Sequence, residues 1–288
     1  PAAKVSGKDV ADVMKDHYEG TPMDMTQDIG AGGNALPYRW RPMGFTYDGK
    51  EYTNERAIAT QQTAFWFVGQ SRGNYPDVLG GIIWFGTDDA ATSYVTPIYT
   101  NSEIVPECFR EGNGDMLTYS STSSFWLNNR VANACYKMYN YMAPFVREHI
   151  DRFENSQISE GVPQTDAKAL ELYNDIAEKE MKKQSKKNPG YDPMTDTGDA
   201  FLQVTQYLTS YSVSTADAIF SAWKKMEETL LVKFIDGNVK AQNEDGTFVH
   251  SPESESIPDG LTQPGYTEYW KEAVAHFHGD VVKKVEAE

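Results

Sequence analysis

Two unbroken apolar runs constrain this chain more than any other feature. Ala64-Phe65-Trp66-Phe67-Val68 and Ile82-Ile83-Trp84-Phe85 are short, aromatic and β-branched, and both adjoin glycines. Runs of this kind read as strands buried on both faces, and such strands need layers above and below their sheet. The turn signal Arg72-Gly73-Asn74-Tyr75-Pro76-Asp77 separates them, and Ser93 to Tyr99 reads as a third strand. So few central strands imply that the rest of the sheet comes from elsewhere.

The flanking sequence is helical or irregular. Ser6 to His17 reads as a short helix opened by the capping box Ser6-Gly7-Lys8-Asp9. Residues 20–54, rich in Gly, Pro, Asn and Asp, read as an ordered loop. Leu127, Val131, Cys135, Met138, Met142, Val146, Ile150 and Phe153 step by three and four, which predicts one long amphipathic helix kinked at Pro144. Further helices are expected over 166–187, 199–211, 215–235 and 267–284, with loops at 188–197 and 241–263. The basic run Lys182, Lys183, Lys186 and Lys187 suits a helix C-terminus. The fold class is therefore α+β, strands first and a helical array after, divided as 1–120 and 121–288.

Composition removes some function classes. A formal net charge of −16 repels phosphate backbones and anionic lipid, so neither nucleic acid nor a membrane is expected as a partner. No apolar stretch approaches the roughly 18 residues of a membrane span. The 17 Tyr, 13 Phe and 6 Trp argue for a packed core rather than disorder. Two cysteines, Cys108 and Cys135, allow one disulfide but no framework, and they do not identify a compartment.

Several constellations invite chemistry. Gly69-Gln70-Ser71-Arg72-Gly73 matches the GxSxG nucleophile elbow, but Gly-Asn-Tyr-Pro-Asp follows where the elbow needs a helix. A strand end and a turn explain it better. Cys135 lies on an apolar helix face and reads as a core thiol, and Cys108 has no His or cation nearby in sequence to activate it. His276 and His278 point to different faces of a helix, so a metal site with His250 would require folding to assemble it. His17-Tyr18-Glu19 lacks metalloprotease spacing. Gly30-Ala31-Gly32-Gly33-Asn34-Ala35 lacks the preceding strand of a dinucleotide fingerprint. Asp88-Asp89 at a strand end either binds a cation or substrate amine or caps a turn. Arg56 stands before the first apolar run, where an arginine entering a core layer is either ion-paired or facing a pocket.

Two segments resemble a known family. The first is His17-Tyr18-Glu19-Gly20-Thr21-Pro22-Met23-Asp24-Met25-Thr26 with Asn34 and Pro37-Tyr38-Arg39-Trp40-Arg41-Pro42. The second is Glu55-Arg56-Ala57-Ile58 with Thr60-Gln61-Gln62-Thr63, Gln70-Ser71-Arg72, Pro76-Asp77 and Gly80-Gly81. Together with Trp84 to Asp89, Ser124-Phe125-Trp126 and Tyr211-Ser212-Val213-Ser214 they resemble the central and C-terminal parts of the C69 dipeptidases, N-terminal-nucleophile (Ntn) hydrolases. The resemblance implies a four-layer αββα sandwich and a processed N-terminal Cys whose own α-amino group acts as base. It also implies dipeptide substrates and neither metal nor cofactor. Position 1 here is Pro, so the expectation is a C-terminal half whose nucleophile lies in a missing N-terminal half. That half would be a partner, and the exposed strand edges make a homo-oligomer the other expected assembly. Arg56 is the family-type position expected to stand beside the nucleophile. A binding domain of the same fold without catalysis, and a serine hydrolase built on Ser71, are the competing readings.

Overall fold

The computed structural model describes residues 4–184, 187–188, 190, 199–277, 279 and 281–285. Much of the expected loop 188–197, together with Lys186, His278 and Pro1, lies outside them. The fold is α+β, with small antiparallel sheets packed against helices.

Helix α1 (Gly7–Val13) starts at the expected capping box: Ser6 Oγ accepts from the Asp9 N–H, and the Asp9 carboxylate accepts from the Ser6 N–H. The predicted loop 20–54 contains a hairpin, β1 (Gly44–Tyr47) and β2 (Lys50–Thr53). Its turn, Asp48-Gly49, takes positive φ at both residues, the conformation that matches strand twist in two-residue hairpins.

The central sheet has the order β3 (Phe65–Ser71), β4 (Gly81–Thr87), β5 (Thr96–Tyr99), antiparallel throughout. Burial alternates along it. Trp66, Val68, Ile82, Trp84 and Tyr99 face a core shared with Ala11, Val162, Ala169, Tyr173, Val204 and Leu208. On the other face Phe65 is 58% exposed, Phe67 54% and Ile83 37%. The expectation of burial on both faces therefore fails on this face: helices cover one side of the sheet and leave an apolar second side bare.

The helical region departs from its expected boundaries. One helix predicted through 153 is two, α2 (Ser124–Cys135) and α3 (Tyr139–Ser156), broken at Met138 (φ −143) rather than at Pro144. A π-helical turn, Gln157–Gly161, joins α3 to α4 (Val162–Gln184). The two helices predicted over 199–235 are a single 35-residue helix, α5 (Asp199–Lys233). A small hairpin, β6 (His250–Ser251) and β7 (Ser254–Pro258), occupies the predicted loop 241–263, and α6 (Glu268–Phe277) is shorter than expected. A second core lies between α2, α3 and α5, around Leu127, Val131, Val146, Ile150, Trp223 and Leu230.

Candidate active site

Residues 54–63 carry the chain as irregular backbone from β2 to β3. With residues 37–39 they close a small cleft that Arg56 lines beside Tyr38, Arg39, Gln61 and Gln62. Arg56 is exposed rather than entering a core layer, because β3 starts nine residues later. It makes no ion pair among the described residues, so the structural ion pair considered for it does not form and its guanidinium is free to meet a substrate or another chain segment.

The cleft floor is rigidly built. Gln61 Nε2 donates to the Arg39 carbonyl at 2.6 Å. The buried Arg39 guanidinium donates to the carbonyls of Leu36, Tyr38 and Met25 and to the Asp28 carboxylate. Gly30 makes room for it, since a Cβ there would lie 2.5 Å from Arg39 Nε. The glycine-rich stretch is thus a 3₁₀ turn (Ile29–Asn34) capped by Asp28 and shaped around an arginine, not a nucleotide loop. Ala59 is anchored by its N–H to the Asp16 carbonyl at 3.0 Å.

Behind the floor Tyr38 continues into a relay. Its hydroxyl lies 2.8 Å from Nε2 of buried His17, whose Nδ1 lies 2.9 Å from Glu19 Oε1. A carboxylate only accepts, so Nδ1 donates to Glu19, and the Tyr38 hydroxyl, which also hydrogen-bonds the Asp89 carboxylate, ties the relay to the end of β4. Burial alone would raise the Glu19 carboxyl, but its bonds from His17 and from backbone N–H groups outweigh that and hold it at about 2. Nothing in the sequence joins His17 to Tyr38. Both lie in the quoted family-like segments, but 21 residues and no periodicity separate them.

Asp88 and Asp89 end β4 in full burial. Asp89 caps a turn through the Ala91 N–H at 3.0 Å and accepts from the Tyr136 hydroxyl at 3.2 Å. Asp88 accepts from Asn129 Nδ2 at 3.0 Å, while its second oxygen has no partner. Burial pushes the Asp88 carboxyl up to about 7 and also raises Asp89. The turn-capping alternative holds for Asp89, while Asp88 is tied to α2 through Asn129.

Cys135 is enclosed in the helical core and its thiol is raised by burial; burial likewise pushes Cys108 up to about 12. At neutral pH both are thiols, not thiolates. Ser71 ends β3 with no helix after it and no His beside it, and its neighbour Arg72 is buried in an ion pair with Asp166. The elbow geometry is therefore not formed. His250 and His276 are exposed, and the described residues contain no group of three or more His, Cys, Asp or Glu able to hold a metal.

A comparison with curated protein sequences finds no match. The family model of peptidase family C69 matches residues 1–152, which include α1, the Arg56 cleft, the central sheet and α2. That span is more than half of the 288 residues. The chain belongs to peptidase family C69.

Proposed function

We propose that this chain is the C-terminal part of a cysteine-type dipeptidase and that its nucleophile lies on a preceding segment. The observation that carries the reading is the one-sided sheet. Its bare face, with Phe65, Phe67 and Ile83, is what a second sheet would cover to complete an αββα sandwich. The state of the two cysteines supports it, since neither thiol is placed or ionised to attack a peptide.

In this reading an N-terminal Cys attacks the scissile carbonyl of a dipeptide, and its own α-amino group takes the thiol proton. That amine, with a pKa near 8, is matched to neutral pH. The proton passes to the leaving amine, and water then releases the acyl group. Arg56 stands free at its cleft to hold an anion, either the thiolate or the dipeptide's carboxylate. Tyr38 and Gln61, fixed from behind, keep the cleft in shape.

The test is dipeptide hydrolysis by this chain alone and together with a segment bearing an N-terminal Cys from the same protein. Activity only in the mixture is expected. Hydrolysis by the chain alone would overturn the placement of the nucleophile, and a folded but inert mixture would favour a binding domain. Without its complement, two copies cover the bare face for each other, so sedimentation should show concentration-dependent association; a monomer at every concentration contradicts that.

A further inference from the structure

The opposite face of the sheet holds a second cavity that the peptidase reading does not use. It measures about 430 Å³, within the range of small-molecule sites, and lies between α1, the end of β3 and the start of α4. Val68, Trp84 and Val162 wall it, and Gln70, Ser71 and Asn74 stand at the same cavity as its uncharged polar groups. Ile158, from the π-helical turn between α3 and α4, completes the wall. Turns of this type cost regular hydrogen bonding and recur at functional sites.

Every full charge lining the cavity already has a counter-charge, and the spare donor on Arg72, its Nε–H, is itself buried. Arg72 pairs with Asp166 and stacks 4.6 Å from the Tyr75 ring centroid. Glu154 is paired with buried Lys15 at 2.7 Å. The Lys8 ammonium is shared among Asp12, Asp151 and Glu154. The neutral groups are different. Among the described residues the Asn74 amide makes no hydrogen bond, and Gln70 uses its carbonyl oxygen on Trp84 Nε1 at 3.1 Å, leaving its NH₂ group unspent. An ion entering here finds no spare counter-charge and pays full desolvation, whereas an apolar body with an amide or hydroxyl head meets matching walls and matching donors.

We propose that this cavity binds an uncharged amphipathic small molecule, its apolar body against Trp84, Val68 and Val162 and its hydrogen-bonding head at Gln70 and Asn74. The site needs no catalysis, so it stands apart from the dipeptidase reading.

The experiment is calorimetric titration of the full chain with N-acetyl-L-phenylalaninamide and, separately, with free L-phenylalanine. Saturable one-to-one binding of the blocked amide is expected, with the zwitterion at least tenfold weaker. Asn74→Trp, on an exposed residue lining the cavity, abolishes binding with an unchanged urea midpoint, and Asn74→Ala weakens it several-fold. Arg56→Ala leaves it unchanged. No saturable binding, equal binding of the zwitterion, or binding that survives Asn74→Trp would each overturn the proposal.

Discussion

Asp88→Asn should stabilise this protein at pH 8 and not at pH 4. Asp88 is buried, sits at φ 67, accepts one hydrogen bond from Asn129 and leaves its other oxygen unpartnered. Its carboxyl titrates at about 7 in the folded chain, because burial disfavours the charge and Asp89 adds a second carboxylate. Unfolded, it titrates at about 3.9. Between these values the folded chain holds a proton that the unfolded chain has released. A raised carboxyl therefore contributes its stability below the unfolded value and loses it as pH rises through the folded one. Roughly three units at about 1.4 kcal/mol each give a loss of about 4 kcal/mol by pH 8. Asparagine is nearly isosteric, tolerates positive φ and keeps the acceptor for Asn129, so the variant removes the charge and little else. Its own amide N–H group is left unpaired, at about 1–3 kcal/mol. The net expectation is a gain of about 1–3 kcal/mol at pH 8, turning into a loss of about 0.5–2.5 kcal/mol at pH 4. Urea unfolding at a series of pH values reads it directly, with an unchanged m-value as the control. Asp89 is raised as well and slopes both proteins, so the difference between them reads Asp88 together with its repulsion of Asp89. A variant whose stability runs parallel to the parent from pH 4 to 8 would refute the reasoning.

Four further outcomes follow from the same geometry. Lys15→Met should cost up to about 3–5 kcal/mol in urea unfolding, because Glu154 then keeps a buried charge with Lys8, at 3.7 Å, as its remaining cation. Gly86→Ala should cost about 1–3 kcal/mol by the same assay, since its Cβ would lie 2.7 Å from the Tyr94 carbonyl and 2.8 Å from Trp66 Nε1. Phe67→Asp, on the bare sheet face, should change the stability of the isolated chain by less than about 0.5 kcal/mol, yet abolish activation by the complementing segment. Arg56→Ala should leave folding intact and lower kcat/KM of the complemented enzyme by about 10²-fold or more, the scale of losing one charge-stabilising donor; an unchanged kcat/KM removes Arg56 from the mechanism.

What was legible in the sequence was local. The capping box of α1, the three strands and the core thiol Cys135 all follow from short-range pattern, whereas the burial of Cys108 does not. What was illegible depends on partners far along the chain. The break before α3 falls at Met138 rather than Pro144. There the Asn34 side chain donates to the Lys137 carbonyl at 3.0 Å and caps the end of α2 from 103 residues away. Ser212 looked like part of a helix boundary. Inside α5 its hydroxyl instead donates to the Leu208 carbonyl and accepts the Tyr99 N–H, so a residue expected between two helices ties helix to sheet. Arg56 could be singled out by its motif, but not its setting, because the cleft it lines joins residues 37–39 to residues 55–62, two segments that no local pattern connects.

The misread sheet carries the most functional information of these. An apolar run states what its side chains favour, not what covers them. Trp66 and Val68 obtain that cover from α4 and α5, while Phe65 and Phe67 on the same strand do not. Two large aromatics more than half exposed on a flat sheet are a liability to a protein working alone, since such faces and edges recruit other strands. They become an ordinary core layer once a second sheet packs about 10 Å away. Conflict between local pattern and observed burial is expected where a chain is shaped for something beyond its own described residues. Here the conflict lies on the sheet whose first strand leads out of the Arg56 cleft, so the face that lacks a partner and the residue expected to serve the nucleophile belong to one continuous stretch of chain.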